Sequence, residues 1–266
     1  VIMLPTVILN SAYWGQCDSI YTTFIILTLL YLYREKYHRA FMFLGIAFAF
    51  KMQTIFIFPF IICFYIYKKQ FSIFELLITV FTFWISGIGA FVQGRSLLDP
   101  FRIYANQTGT YQYMHVNFPS FWMFVGNDYE WLKTAAIVMA AGICGMGLYI
   151  IMKRKLDCSR PENFVSIASW FIWTCVLFLP AMHERYAYPL EILLVILTCI
   201  NKDYLKYSSV AILFSLFTYG NYLFSNGGLD KYIVIIYAGC YLHFTYTILK
   251  KNSKAATVTD KEMQNE

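Results

Sequence analysis

Ionisable residues set against apolar sequence are the groups in this chain whose types and spacing point to chemistry, because such groups are costly unless paired or wet. Three short clusters carry most of them. The first is Trp14-Gly15-Gln16-Cys17-Asp18. Gly15 permits a tight turn, which offers Gln16 and Asp18 at the mouth of the following apolar segment; a plain N-cap by Asp18 or Ser19 on a helix over 19–33 is the competing reading. The second is Lys51-Met52-Gln53. A lysine at the tip of a short hairpin can hold a lipid phosphate, or it can snorkel to an interface. The third is His183-Glu184-Arg185-Tyr186, between Pro180 and Pro189. Histidine and arginine are phosphate partners, arginine through two donors, and Glu184 can orient either neighbour. An ordinary turn would more often use Gly, Asn or Ser.

A fourth, looser set lies in the segment 94–130: Asp99, Arg102, His115, Asn117, Asn127, Asp128 and Glu130. It is polar enough for sugar binding and polar enough to be simply solvated. Asn106-Gln107-Thr108 fits the N-x-T acceptor pattern for glycosylation. The aromatics Tyr104, Tyr111, Tyr113, Phe118, Phe121 and Trp122 imply a loop lying along a bilayer surface. Pro119 and Ser120 can start a short helix there. Glu75 and Glu191 fall inside apolar segments, Glu75 near an end and Glu191 deeper, within reach of a salt link to Arg185.

The elements that position these groups follow from composition. The chain has 266 residues, of which 59% are hydrophobic, 20% aromatic and only 14% charged, against about 25% charged in a soluble domain. That excludes a soluble globular enzyme, a disordered chain and a disulfide scaffold. The apolar runs are continuous rather than alternating, which argues against a membrane β-barrel. The expected fold is all-α, a polytopic transmembrane bundle of about 8–10 segments. Apolar segments read at 1–9, 19–33, 40–50, 53–67, 71–93, 132–152, 164–180, 187–200, 207–224 and 231–249. Ala40 to Tyr67 reads either as one tilted helix or as a hairpin with its tip near Lys51. Charge decides for the hairpin, which puts fifteen of the 21 Lys and Arg on one side; the positive-inside rule makes that side the cytoplasm. The three clusters and the 94–130 loop then share the outer side.

The expected organisation is a transmembrane domain over 1–249 with an outer loop at 94–130, and a polar cytoplasmic tail at 250–266. The chain opens on Val1 within an apolar segment, so a further N-terminal part is expected upstream. The seven cysteines form no C-x-x-C pair and read as small buried hydrophobes. The net charge of +6 lies at segment ends and is no nucleic-acid signal. No ligand cluster has metal spacing.

Leu4-Pro5-Thr6, Asn10 and Trp14 to Tyr21, then Gly45 to Gln53 with Pro59, then Leu179 to Tyr186, together resemble bacterial membrane mannosyltransferases related to the eukaryotic GPI mannosyltransferase II. These belong to the GT-C superfamily of polytopic glycosyltransferases. The likeness covers about residues 4–60 and 177–190 and is weak in the 94–130 loop and beyond 200. The resemblance implies a multi-pass protein of the bacterial plasma membrane. It implies transfer of a sugar, mannose by the family name, from a polyprenyl-phosphate donor to a lipid-linked or cell-surface glycan acceptor on the outer face, with inversion. The implied partners are membrane lipids, the donor and the acceptor; a divalent metal is compatible with the superfamily. The catalytic acid is implied in a loop upstream of Val1, so this chain alone is expected to be inactive, with Asp18 as fallback base. His183, Arg185 and Lys51 are implied to hold the donor phosphate. Trp14, Gln16, Gln53, Glu184 and Tyr186 are implied to border the substrate. The competing classes are a flippase or exporter of lipid-linked glycans, and a polysaccharide polymerase or ligase using a diphosphate donor. A transporter would place charges at several depths and often show inverted repeats, which are not seen here.

Overall fold

The computed structural model describes residues 1–107, 110–225 and 231–263, with side chains described as far as Lys251. The fold is all-α, with one two-residue parallel strand pair. Its elements are α1 (Pro5–Val7), continued by a π-helical turn Ile8–Tyr13, then α2 (Asp18–Tyr33) and α3 (Tyr37–Phe50). A 3₁₀ turn over Met52–Ile57 leads into α4 (Phe58–Lys68), and α5 (Leu76–Ile85), α6 (Ile88–Val92) and α7 (Asp99–Gln107) follow. After β1 (His115–Val116) come α8 (Tyr129–Lys153), α9 (Pro161–Phe178), β2 (Met182–His183), α10 (Tyr188–Ile200), α11 (Leu205–Phe224) and α12 (Lys231–Met263).

Helix α9 is the centre. Every residue from Ser166 to Leu177 is buried, the pattern of a helix apolar all round and wrapped by others. Helices α4, α8, α10 and α12 pack on it, and α2, α3 and α5 pack beside one another. The α3–α5 contact depends on Gly45. A methyl there would stand 2.6 Å from the Thr79 carbonyl oxygen and 2.7 Å from Thr82 Cβ. Since one neighbour is backbone, Gly45→Ala is expected to cost about 1–3 kcal/mol, read as a lower melting temperature of the purified protein.

The Ala40–Tyr67 stretch doubles back, as charge parity required. Lys51 is extended (φ −159°, ψ 133°), and the Tyr37 hydroxyl reaches Gln70 at 3.2 Å while Phe48 meets Phe58. The basic clusters gather at one end of the bundle. There Tyr33 donates to the Ser159 carbonyl, Arg154 to the Leu249 carbonyl, and Lys251 bridges Glu162 and Asp203 at 3.0 Å each.

Other elements differ in detail from the segments expected. Among the described residues two helices are long and apolar enough to cross a membrane, Tyr129–Lys153 and Lys231–Lys251; Asp18–Tyr33, Tyr37–Phe50, Met52–Lys68, Ile73–Ile85 and Tyr188–Ile200 are apolar but shorter. The 71–93 segment is broken between Ile85 and Ile88. The tail expected from residue 250 continues α12 as helix to Met263. Asp18 is the first residue of α2 and its side chain makes no cap. Thr108 of the N-x-T pattern lies outside the described residues.

Candidate functional site

The site lies at the end of the bundle away from the basic clusters and is built from three breaks in the helices. Gly15, at φ +68°, turns the chain between the π-helical turn and α2. The extended Lys51 turns it between α3 and α4. Residues 179–187, with Ala181 at φ +58°, turn it between α9 and α10. Each break carries one of the three clusters, and the fold brings all three around the Asp18 carboxylate.

Lys51 Nζ donates to Asp18 Oδ1, and Asn10 Nδ2 donates to Asp18 Oδ2 at 2.8 Å. Arg185 Nε stands 3.9 Å from Asp18 Oδ2, and its Nη1 donates to Glu184 Oε1 at 3.0 Å. His183 Nδ1 is 3.8 Å from Glu184 Oε2. The guanidinium lies over the Trp14 ring at 5.3 Å and Lys51 over the Tyr21 ring at 5.5 Å, contacts that favour cations and restrict them. The side chains grade outward: Asp18 is 0% exposed, Glu184 1%, His183 8%, Lys51 13% and Arg185 19%. Carboxylates thus form the floor and cations the rim. Two acids facing two bases can be buried where neither pair alone would suffice, provided each keeps its partner.

Several atoms of this group hold no hydrogen bond among the described residues, namely His183 Nε2, Glu184 Oε2 and Arg185 Nε. All three are buried atoms, and two of them face an oppositely charged partner at 3.8–3.9 Å, Glu184 Oε2 towards His183 and Arg185 Nε towards Asp18. Burial pushes the Tyr186 hydroxyl up to about 12, and Gln53 faces it. Trp14 also stacks on Tyr222 at 4.9 Å. Gln16 is half-buried in the same turn, and its backbone N–H bonds the Asn10 carbonyl at 2.9 Å. The fallback base, Asp18, is thus without exposed surface and bound to two donors. Glu191 makes no link to Arg185; it is buried and accepts from Thr6 Oγ1.

The 94–130 segment takes part in a way its sequence did not suggest. β1 pairs with β2, His115 beside Met182 and Val116 beside His183. The Tyr111 ring packs edge-on against the His183 ring at 4.4 Å. Burial holds the His115 imidazole below its ordinary pKa. Phe118 and Trp122 are buried in protein rather than spread along a surface, and Trp122 Nε1 donates to the Phe178 carbonyl at 2.7 Å. Ser120 caps a 3₁₀ turn over Phe121–Phe124, as the Pro-Ser pair indicated. Most of the loop's polar residues serve structure. Asp99 pairs with Arg102, Asp128 caps α8, Glu130 pairs with Lys133, and Asn127 Oδ1 accepts from the N–H groups of Met114 and His115.

Asn127→Ala would leave the buried Met114 N–H without that acceptor. The loss is expected to be about 1–2 kcal/mol, seen as faster amide exchange at Met114–Val116 with helix exchange unchanged.

Asn10, Tyr21 and Tyr111 are site residues that the polar clusters did not include. Asn10 has a visible signal, an amide in an apolar run eight residues before Asp18. Tyr111 has none, because it arrives through a long-range strand pair. Among the described residues no group of three His, Cys, Asp or Glu is placed to hold a metal. No family model, curated protein or solved structure matches the chain.

Proposed function

We propose that the protein is a multi-pass membrane glycosyltransferase that moves a sugar, with mannose as the expected one, from a polyprenyl-phosphate donor to a lipid-linked or surface glycan. The observation that carries this reading is the meeting of three clusters, far apart in sequence, in one group with cations at its rim. The membrane part is supported by outward faces that are themselves apolar, such as Leu77, Val80 and Phe81 on α5, Ile137, Val138 and Met146 on α8, and Ile235, Ile236 and Leu242 on α12. Water-exposed patches of that extent are unusual. The basic end would then face the cytoplasm and the site the outer surface.

In this reading Arg185, His183 and Lys51 stabilise the phosphate as it departs from the anomeric carbon, the charge that grows most in the transition state. Glu184 fixes the guanidinium plane, and Trp14 covers it. Asp18 is the counter-ion that keeps Lys51 and Arg185 together before the donor arrives. Trp14, Gln16, Gln53 and Tyr186 border the sugar. The test is transfer of label from polyprenyl-phosphate-mannose to acceptor in membranes carrying the full-length gene product. Release of polyprenyl phosphate with transfer of sugar is the expected result. Movement of the intact lipid without cleavage would assign the protein to transport instead.

A further inference from the structure

The opposite end of the bundle holds a groove of about 760 Å³ between the start of α11 and the end of the apolar part of α12. Lys202, Lys206, Lys250 and Lys251 line it, with Asp203 and His243. Four ammonium groups therefore share one cavity with one carboxylate. Three of the four are also held over aromatic rings. Lys206 lies over the Tyr207 ring at 5.1 Å, Lys250 over Tyr246 at 5.6 Å and Lys251 over Tyr204 at 4.6 Å. The Tyr207 hydroxyl bonds His243 Nδ1 at 2.8 Å and Thr247 at 2.7 Å, which pins the ring in the wall. Lys251 is bound by Glu162 and Asp203, whereas Lys202, Lys206 and Lys250 make no ion pair among the described residues.

We propose that this groove binds a phosphate group, by the three uncommitted lysines. Lysine ammonium groups are compact point charges that suit a small anion such as phosphate, and three of them line this one groove. Leu205 and Tyr246, 57% and 56% exposed, line the same groove and offer apolar surface to an acyl chain. Basic pockets between helix ends are also where anionic lipid headgroups settle. The site is separate from the Asp18 group and does not depend on sugar transfer.

The experiment is native mass spectrometry of the whole protein in detergent, titrated with phosphatidylglycerol, phosphatidylcholine or inorganic phosphate. The comparison is the Lys202→Gln/Lys206→Gln/Lys250→Gln variant, with Lys206→Glu as a single-site check and melting curves to confirm folding. The expected result is retention of phosphatidylglycerol over phosphatidylcholine, weakened at least about tenfold in the triple variant. Displacement of the lipid by millimolar inorganic phosphate would support the site with free phosphate as its ligand. Equal retention of the two lipids with no phosphate binding would overturn the proposal. So would a folded triple variant that binds as the wild type does.

Discussion

Within the full-length gene product, Arg185→Ala is expected to lower sugar transfer at least about tenfold at equal amounts of folded protein, the loss of roughly one charge-assisted hydrogen bond in the transition state. His183→Ala should do the same. Arg185 is the most exposed member of the buried group, at 19%, and its Nε, 3.9 Å from Asp18 Oδ2, holds no hydrogen bond among the described residues. Its remaining contacts, Glu184 at 3.0 Å and the Trp14 ring at 5.3 Å, fix the plane in which it meets a ligand. Arg185→Lys should therefore rescue little, because a lysine keeps the charge but not the planar fork. A purely structural arginine would behave differently: loss of folded protein would track loss of activity, and the protein that survived would turn over normally. Measuring turnover per folded molecule with both substitutions separates the two. Wild-type turnover in Arg185→Ala and His183→Ala would remove the phosphate role.

Asp18→Asn is expected to produce the largest loss of stability, about 3–5 kcal/mol, since it strands Lys51 and Arg185 beside a neutral floor. Asp18 has no exposed surface, accepts from both Lys51 and Asn10, and is the one group all three breaks approach. Lys51→Met alone should also destabilise, because it leaves the carboxylate underpaired. The combined Asp18→Asn/Lys51→Met change should cost less than the two single changes added together, by at least about 1 kcal/mol. Thermal unfolding of the four proteins in detergent gives the coupling. Additive losses would mean that the contact between these two residues carries no specific energy.

The sequence was most informative where the physics is local. Helix positions followed from apolar runs, and α9 and α10 lie close to where hydropathy put them. The reversal at Lys51 followed from charge parity, a long-range rule that needs no contact information. The three clusters were visible because an ionisable residue in apolar sequence has few cheap explanations. Their meeting around Asp18 was not legible, since nothing in the spacing of residues 18, 51 and 185 says that the chain ends of α2, α4 and α10 share a corner. The capping reading of Asp18 failed for the same reason: a local partner is the default until a distant cation is seen to take it. The 94–130 segment was hardest. Its aromatics read as a bilayer-surface set, yet Phe118 and Trp122 are core, and the β1–β2 pair that settles Tyr111 against His183 joins residues far apart in the chain. The break at Ser86-Gly87 was hidden inside a run that reads as continuously apolar.

The most direct test of the central claim is binding of polyprenyl phosphate to the purified protein, with the unphosphorylated polyprenol as reference. The lipid tail is the same, so the difference reports the phosphate alone. The expected result is at least about tenfold tighter binding of the phosphate, lost in Arg185→Ala and kept in the triple lysine variant at the opposite end. Equal binding of the two lipids, or a preference that survives Arg185→Ala and disappears with the distant lysines, would contradict the assignment of the Asp18 group as the donor site.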